Sequence, residues 1–165
     1  MLKFFSLLIV TAISAANGLG QELVHPETVR QCLKNKKAYA LRVLTSNNPY
    51  YLRGDFDGDS KPDYALEVRS KKGGTGVLLC TGKGTISLLG SGIGGEQFSD
   101  MPDDNFLAPY WEVYTKQEVI ELGKWTHNVP DPVSPKGESI ALIWEDGISL
   151  IYWDGSKFKW AGSKE

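Results

Sequence analysis

Four aspartates, Asp55, Asp57, Asp59 and Asp63, fall within nine residues of the stretch GDFDGDSKPDYAL that runs from Gly54 to Leu66. Carboxylates this crowded repel one another unless a cation sits among them. Counted from Asp55, they occupy positions 1, 3, 5 and 9, so the alternation lets all four converge on one point. Loops that wrap a hard cation from one side draw oxygen ligands from such alternating positions. Position 7 is Lys61, which offers only its backbone carbonyl and must turn its ammonium away from the ion. Gly58 relieves the sharp turn, and Pro62 stiffens the exit toward Asp63. The candidate metal ligands are therefore Asp55, Asp57, Asp59, Asp63 and the carbonyl of Lys61. Six to eight oxygens at flexible geometry suit Ca2+, whereas Mg2+ keeps its waters and demands a strict octahedron. The expected ion is Ca2+, in a structural role, at the ~10⁻⁴–10⁻³ M affinity of extracellular modules. The plainer alternative is a solvated acidic turn, since Asp and Gly are ordinary turn residues.

An EF-hand has similar spacing but does not fit. Position 6 is Ser60 rather than Gly, and position 12 is Leu66 where a bidentate Glu is required. The flanking segments also read as strands. The stretch instead resembles the calcium loop of FG-GAP/VCBS-type repeats, the acidic hairpin loops of integrin-like propellers. The match comprises Gly54, Asp55, Phe56, Asp57, Asp59, Asp63, Tyr64, Ala65 and Leu66; Ser60 stands where such loops often carry Gly. The resemblance covers about residues 53–67 and implies a hairpin held by Ca2+. It does not imply a full propeller, because one motif copy is too few for several four-stranded blades.

Other patterns that resemble chemistry lack the context they need. Gly90–Gly95 (GSGIGG) fits GxGxxG, but no helix pattern follows it, so a flexible loop is expected. TGKGT lacks the first glycine of a P-loop. His25 lies near the mature N-terminus and His127 in a Pro-rich connector, and neither has a nucleophile nearby. Asp103, Asp104, Glu112, Glu118, Glu121 and Glu138 are the carboxylates that a glycosidase-like pair would draw on. Trp111, Trp125, Trp144, Trp153 and Trp160 read as core and cross-strand packing, or as an aromatic face for a glycan or protein.

The elements around the acidic loop follow from periodicity and turn chemistry. YYLRGDF and DYALEVRS are strand-like and flank it; VLLCTG, TISLLG and YWEVYT are further strands. Residues 90–104, rich in Gly, Asp and Pro, are expected to form a long surface loop. Lys116–Leu122 suits helix or strand, ending at Gly123. SIALIWEDGISLIYWDGSKFKWAG reads as three strands joined at Asp-Gly turns. Pro26–Leu41 reads as a helix with Pro26 in its first position, Glu27 at the positive end of the dipole and an apolar stripe through Val29, Cys32 and Leu33. The expected fold class is α+β, a mostly antiparallel β meander with one N-terminal helix packed on it.

Composition and export signals bound the rest. Met1–Ala16 has Lys3, an apolar run of about a dozen residues and small residues after it, the layout of a signal peptide. Cleavage falls before Asn17 or before Gln21, leaving a single domain over residues 21–165. Losing Lys3 leaves 17 basic against 20 acidic residues, a net of −3, without a basic stripe, so nucleic acid is not an expected partner. The apolar run is short for a membrane span, which needs ~20 residues, so no transmembrane segment is expected in the mature chain. Cys32 and Cys80, the two cysteines, pair most simply as a disulfide in an oxidising compartment; two buried thiols are the rival. The expected protein is secreted or periplasmic. It reads as a non-catalytic calcium-binding module for a protein or glycan partner, or else as a small hydrolase of cell-wall or carbohydrate substrates with structural Ca2+.

Overall fold

A computed structural model describes residues 25–96, 98, 108–125 and 133–162. The signal segment, Asp103, Asp104 and His127 lie outside the described residues. The chain begins with helix α1 (Glu27–Leu33), followed by strands β1 (Leu41–Val43), β2 (Tyr51–Gly54), β3 (Asp63–Ser70), β4 (Thr75–Cys80) and β5 (Ile86–Leu89). Then come β6 (Tyr110–Tyr114), helix α2 (Lys116–Trp125), β7 (Ser139–Trp144), β8 (Gly147–Trp153) and β9 (Phe158–Gly162). Pairing is antiparallel throughout the named strands.

The strands form two sheets rather than one continuous meander. The first carries β3, β4 and β5 in order, with β1 and β2 in tandem along the other edge of β3. The register shows how they share that edge: β1 pairs with residues 68–70 and β2 with residues 63–66. The second sheet is β6-β7-β8-β9. Side chains on a strand alternate faces, and this builds the layers. Leu66, Val68, Leu78 and Cys80 meet Val29 and Cys32 of α1 on one face of the first sheet. Ala65, Val77 and Leu79 on its other face meet Trp111, Ile140, Leu142, Ile151 and Phe158 of the second sheet. Ala141 and Leu150, on the far face of that sheet, pack against Val119 of α2. Helix, sheet, sheet and helix thus stack in sequence. Burial on both faces explains why every residue of β4 is buried. Each fully buried aliphatic side chain contributes roughly 2 kcal/mol by leaving water.

Four expectations need correction in detail. The first helix stops at Leu33 instead of reaching Leu41. Asn35 intervenes: its Oδ1 accepts from Lys37 N at 3.0 Å and its carbonyl accepts from Ala38 N and Tyr39 N. An Asn side chain that bonds its own backbone competes with the helix ladder. Pro26 is the N-cap residue, at ψ 151°, and not the first helical position. Lys116–Leu122 resolves as helix, which continues past Gly123 to Trp125. In the segment expected to be surface loop, Ile93 and Phe98 are buried, and Gly92 packs against the backbone of Gly74. No helix among the described residues is long and apolar enough to cross a membrane.

Candidate metal centre

The acidic stretch connects β2 to β3, which pair with Gly54 opposite Asp63, so the loop is the tip of an antiparallel hairpin. Its conformation is set by backbone N–H groups gathered onto its own carboxylates. Asp55 accepts from Asp59 N at 2.9 Å and from Ser60 N at 3.0 Å. Asp57 Oδ1 accepts from Asp59 N at 3.2 Å, and Asp59 Oδ1 from Lys61 N at 2.9 Å. Gly58 and Ser60 take the left-handed conformation, at φ 74° and 67°. A Cβ on Gly58 would also stand 2.7 Å from the carbonyl oxygen of Lys136, so glycine is required there twice over.

Two anchors fix the loop to the body. Phe56, 1 % exposed, inserts its ring into the core between the sheets. Glu138, just ahead of β7, donates its N–H to Asp55 O at 2.7 Å and accepts Asp55 N on its own Oε2 at 2.7 Å. This reciprocal pair joins the loop of the first sheet to the second. The approach is so close that a Cβ on Gly137 would lie 2.1 Å from Asp55 O.

Asp63 sits deepest and is fully buried. Its Oδ2 accepts Phe56 N at 2.9 Å and Asp57 N at 3.1 Å, and its Oδ1 accepts Gly82 N at 2.8 Å. Burial pushes the Asp63 carboxyl above its ordinary value, although the three N–H groups pull the other way. The Gly82 contact brings in the β4–β5 turn, whose Lys83 reaches over the loop. Lys83 Nζ stands 3.3 Å from Asp57 Oδ2 and 3.2 Å from Asp59 Oδ2. The Asp59 and Asp57 carboxylates beside it push the Lys83 ammonium up. For Asp59, burial works upward, but Lys61 N–H and the ammonium more than offset it and leave the carboxyl below its ordinary value.

Carboxylate oxygens of Asp55, Asp57 and Asp63 lie within 4.8 Å of one another, an arrangement that can hold a metal ion. Oxygens bound to one cation at 2.3–2.6 Å span at most about 5 Å, so the trio fits around a single ion. An ionised carboxylate offers about four lone-pair sites, and the two or three N–H bonds each one accepts leave room for a metal. Asp59 and Lys61 were expected in the same set. Asp59 lies outside the trio, with its Oδ2 turned toward Lys83, and the trio consists of side-chain carboxylates, so it does not bear on the Lys61 carbonyl.

The remaining sequence candidates do other work. Glu118 Oε2 accepts Thr115 N at 2.7 Å while Glu118 N donates to Thr115 Oγ1 at 3.3 Å, a capping box that starts α2. Glu112, Glu118 and Glu121 do share a shallow groove with Tyr114 and Leu122. Glu138 holds the acidic loop through Asp55. Trp144, Trp153 and Trp160 pack against the inter-sheet core, with Trp160 stacked on Phe98. Trp111 is buried and donates Nε1–H to Pro49 O at 2.8 Å. The side chain of Trp125 lies outside the described residues. GSGIGG opens a single 3-10 turn, Ser91–Ile93, and starts no α-helix. His25 packs edge-on against Tyr50. Cys32 and Cys80 are bonded across α1 and β4, with Cα atoms 5.7 Å apart.

Sequence reasoning passed over Gly82, Lys83 and Glu138 as parts of this centre. Lys83 and Glu138 lie 26 residues beyond Asp57 and 83 beyond Asp55, and no local pattern links them. Compared with known proteins, the chain matches no family model, no curated protein and no solved structure.

Proposed function

We propose that this chain is an exported calcium-binding domain that acts as a non-catalytic binding module for a protein or glycan partner. The observation that carries the reading is the convergence of Asp55, Asp57 and Asp63 on a hairpin tip tied to the second sheet through Glu138. The resemblance to FG-GAP/VCBS loops supports Ca2+ as the ion, since the strand flanks and the position of Phe56 suit such a loop. Export is supported by the apolar N-terminal segment and by the Cys32–Cys80 bond, which persists in oxidising compartments. The commitment of Glu118 and Glu138 to structural bonds favours the binding module over a carboxylate-pair hydrolase.

In this reading the ion neutralises the loop and clamps both sheets together at one end. Titration calorimetry of the mature protein with CaCl2 is expected to give one site. At free calcium of 100 times Kd, mass action adds about 2.7 kcal/mol of stability, a rise in Tm of roughly 5–10 °C for a domain this size. The double variant Asp57→Ala, Asp59→Ala should show neither the heat nor the shift. Calcium heat unchanged in that variant, or absent from the wild type, sinks the site.

A further inference from the structure

The β4–β5 turn carries more than a chance contact with the acidic loop. It is a closed, rigid unit: Thr81 N donates to Thr85 O at 3.0 Å, Gly84 N to Thr81 O at 2.9 Å, and the two threonine hydroxyls are 2.7 Å apart. Its next residue, Gly82, is fixed on Asp63 by a main-chain hydrogen bond. Lys83 therefore starts from an anchored position, and its ammonium falls between Asp57 and Asp59. Asp59 Oδ2, shielded from solvent on a side chain 11 % exposed, faces this ammonium at 3.2 Å and no other donor among the described residues.

We propose that Lys83 is a tethered counter-ion that competes with Ca2+ for the acidic loop through Asp57, the carboxylate both would share, and so sets the affinity of the loop. The inference rests on the calcium reading of the same loop and adds its regulation. A Ca2+ ion held by Asp55, Asp57 and Asp63 shares Asp57 with Lys83 and repels its ammonium. Binding must then break or lengthen two ion pairs. In the absence of calcium the same ammonium holds the loop's charges together. Lys83 thus stabilises the calcium-free protein and weakens calcium binding, which keeps the loop folded when calcium is scarce and confines its response to calcium-rich surroundings.

The test compares wild type, Lys83→Met and Lys83→Arg by CaCl2 calorimetry and by thermal melts in chelator and in saturating calcium. Met keeps the apolar stem and removes the charge; Arg keeps the charge. The Met variant should bind calcium roughly three- to tenfold more tightly, from the loss of two partly exposed pairs, and should melt lower in chelator but not in saturating calcium. The Arg variant should stay near wild type in both. If wild type binds calcium and the Met variant has the same Kd and the same chelator Tm, the competition is overturned while the calcium site stands. If no variant responds to calcium, both fall together.

Discussion

Two acidic turns in this molecule are built from the same parts and come to different ends. In the β8–β9 turn, Asp154 Oδ1 accepts Ser156 N, Ser156 Oγ and Lys157 N at 2.7–2.9 Å, while Lys159 Nζ sits 2.9 Å from Oδ2. Gly155 supplies the positive φ of 108°. These bonds, the Lys157 N–H foremost, hold the Asp154 carboxyl well below its ordinary value. One carboxylate meets one ammonium, and the turn is complete. The Asp55–Asp63 loop uses the same capping by backbone N–H, the same left-handed glycine and one lysine, but it has four carboxylates. Asp-Gly turn chemistry is common to both; the surplus of negative charge is what marks one of them as a candidate metal centre. Backbone donors position carboxylates without neutralising them.

That contrast can be broken most forcefully at Asp63. Asp63→Ala orphans three N–H groups around a buried site, and each costs about 1–3 kcal/mol, so urea unfolding should show a loss of roughly 3–5 kcal/mol. Asp154→Ala, on an exposed turn, should cost distinctly less and leave any calcium-induced rise in Tm intact. Equal losses at the two positions would mean that the loop gains nothing from its buried carboxylate.

Glu67 sharpens the comparison from another side, as a buried acid with too few donors. Its side chain is 1 % exposed and accepts one hydrogen bond, from Asn47 Nδ2 at 3.1 Å, which also reaches Ala108 O. Burial pushes its pKa up from 4.5 to about 7. The sign follows: the folded state binds this proton more tightly, so the contribution is full below pH 4.5 and is lost as pH rises through 7. Glu67→Gln should therefore leave stability at pH 4 nearly unchanged, raise it by about 2–3 kcal/mol at pH 8, and flatten the slope between. Parallel pH–stability curves for the two proteins would show that Glu67 stays charged at little cost.

The smallest expected effect lies at Ser60, whose φ of 67° strains a residue with a Cβ. Ser60→Gly should stabilise the fold by about 0.5–1 kcal/mol, measured by chemical denaturation in chelator. A destabilisation instead would show that the Ser60 side chain contributes something its backbone strain conceals.

Much of the hairpin was legible because its signals are local. The strand-like run DYALEVRS coincides with β3, Asp63–Ser70, and the DxDxDxxxD spacing located the carboxylates before any fold was known. The cysteine pair followed from an even count and an export signal. The division into two sheets was not legible, since nothing in the sequence says that β5 ends one sheet and β6 begins another. The end of α1 was missed because a single Asn outweighed a helical stripe. The lysine and glutamate that hold the acidic loop come from distant turns, and contacts of that range leave no period in the sequence.

The tandem placement of β1 and β2 along β3 has a consequence for how the molecule keeps to itself. An unbroken outer strand would present a continuous row of amide and carbonyl groups to any neighbour, an invitation to intermolecular strand pairing. Here that rim is divided into pieces of three and four residues, and the chain between them turns inward, with Leu44 N bonded to Glu67 O and Asn47 reaching the same residue. The opposite rim, β5, is four residues long and carries a bridge from Leu89 to Glu96. Neither border of the first sheet offers a stranger a ladder long enough to climb.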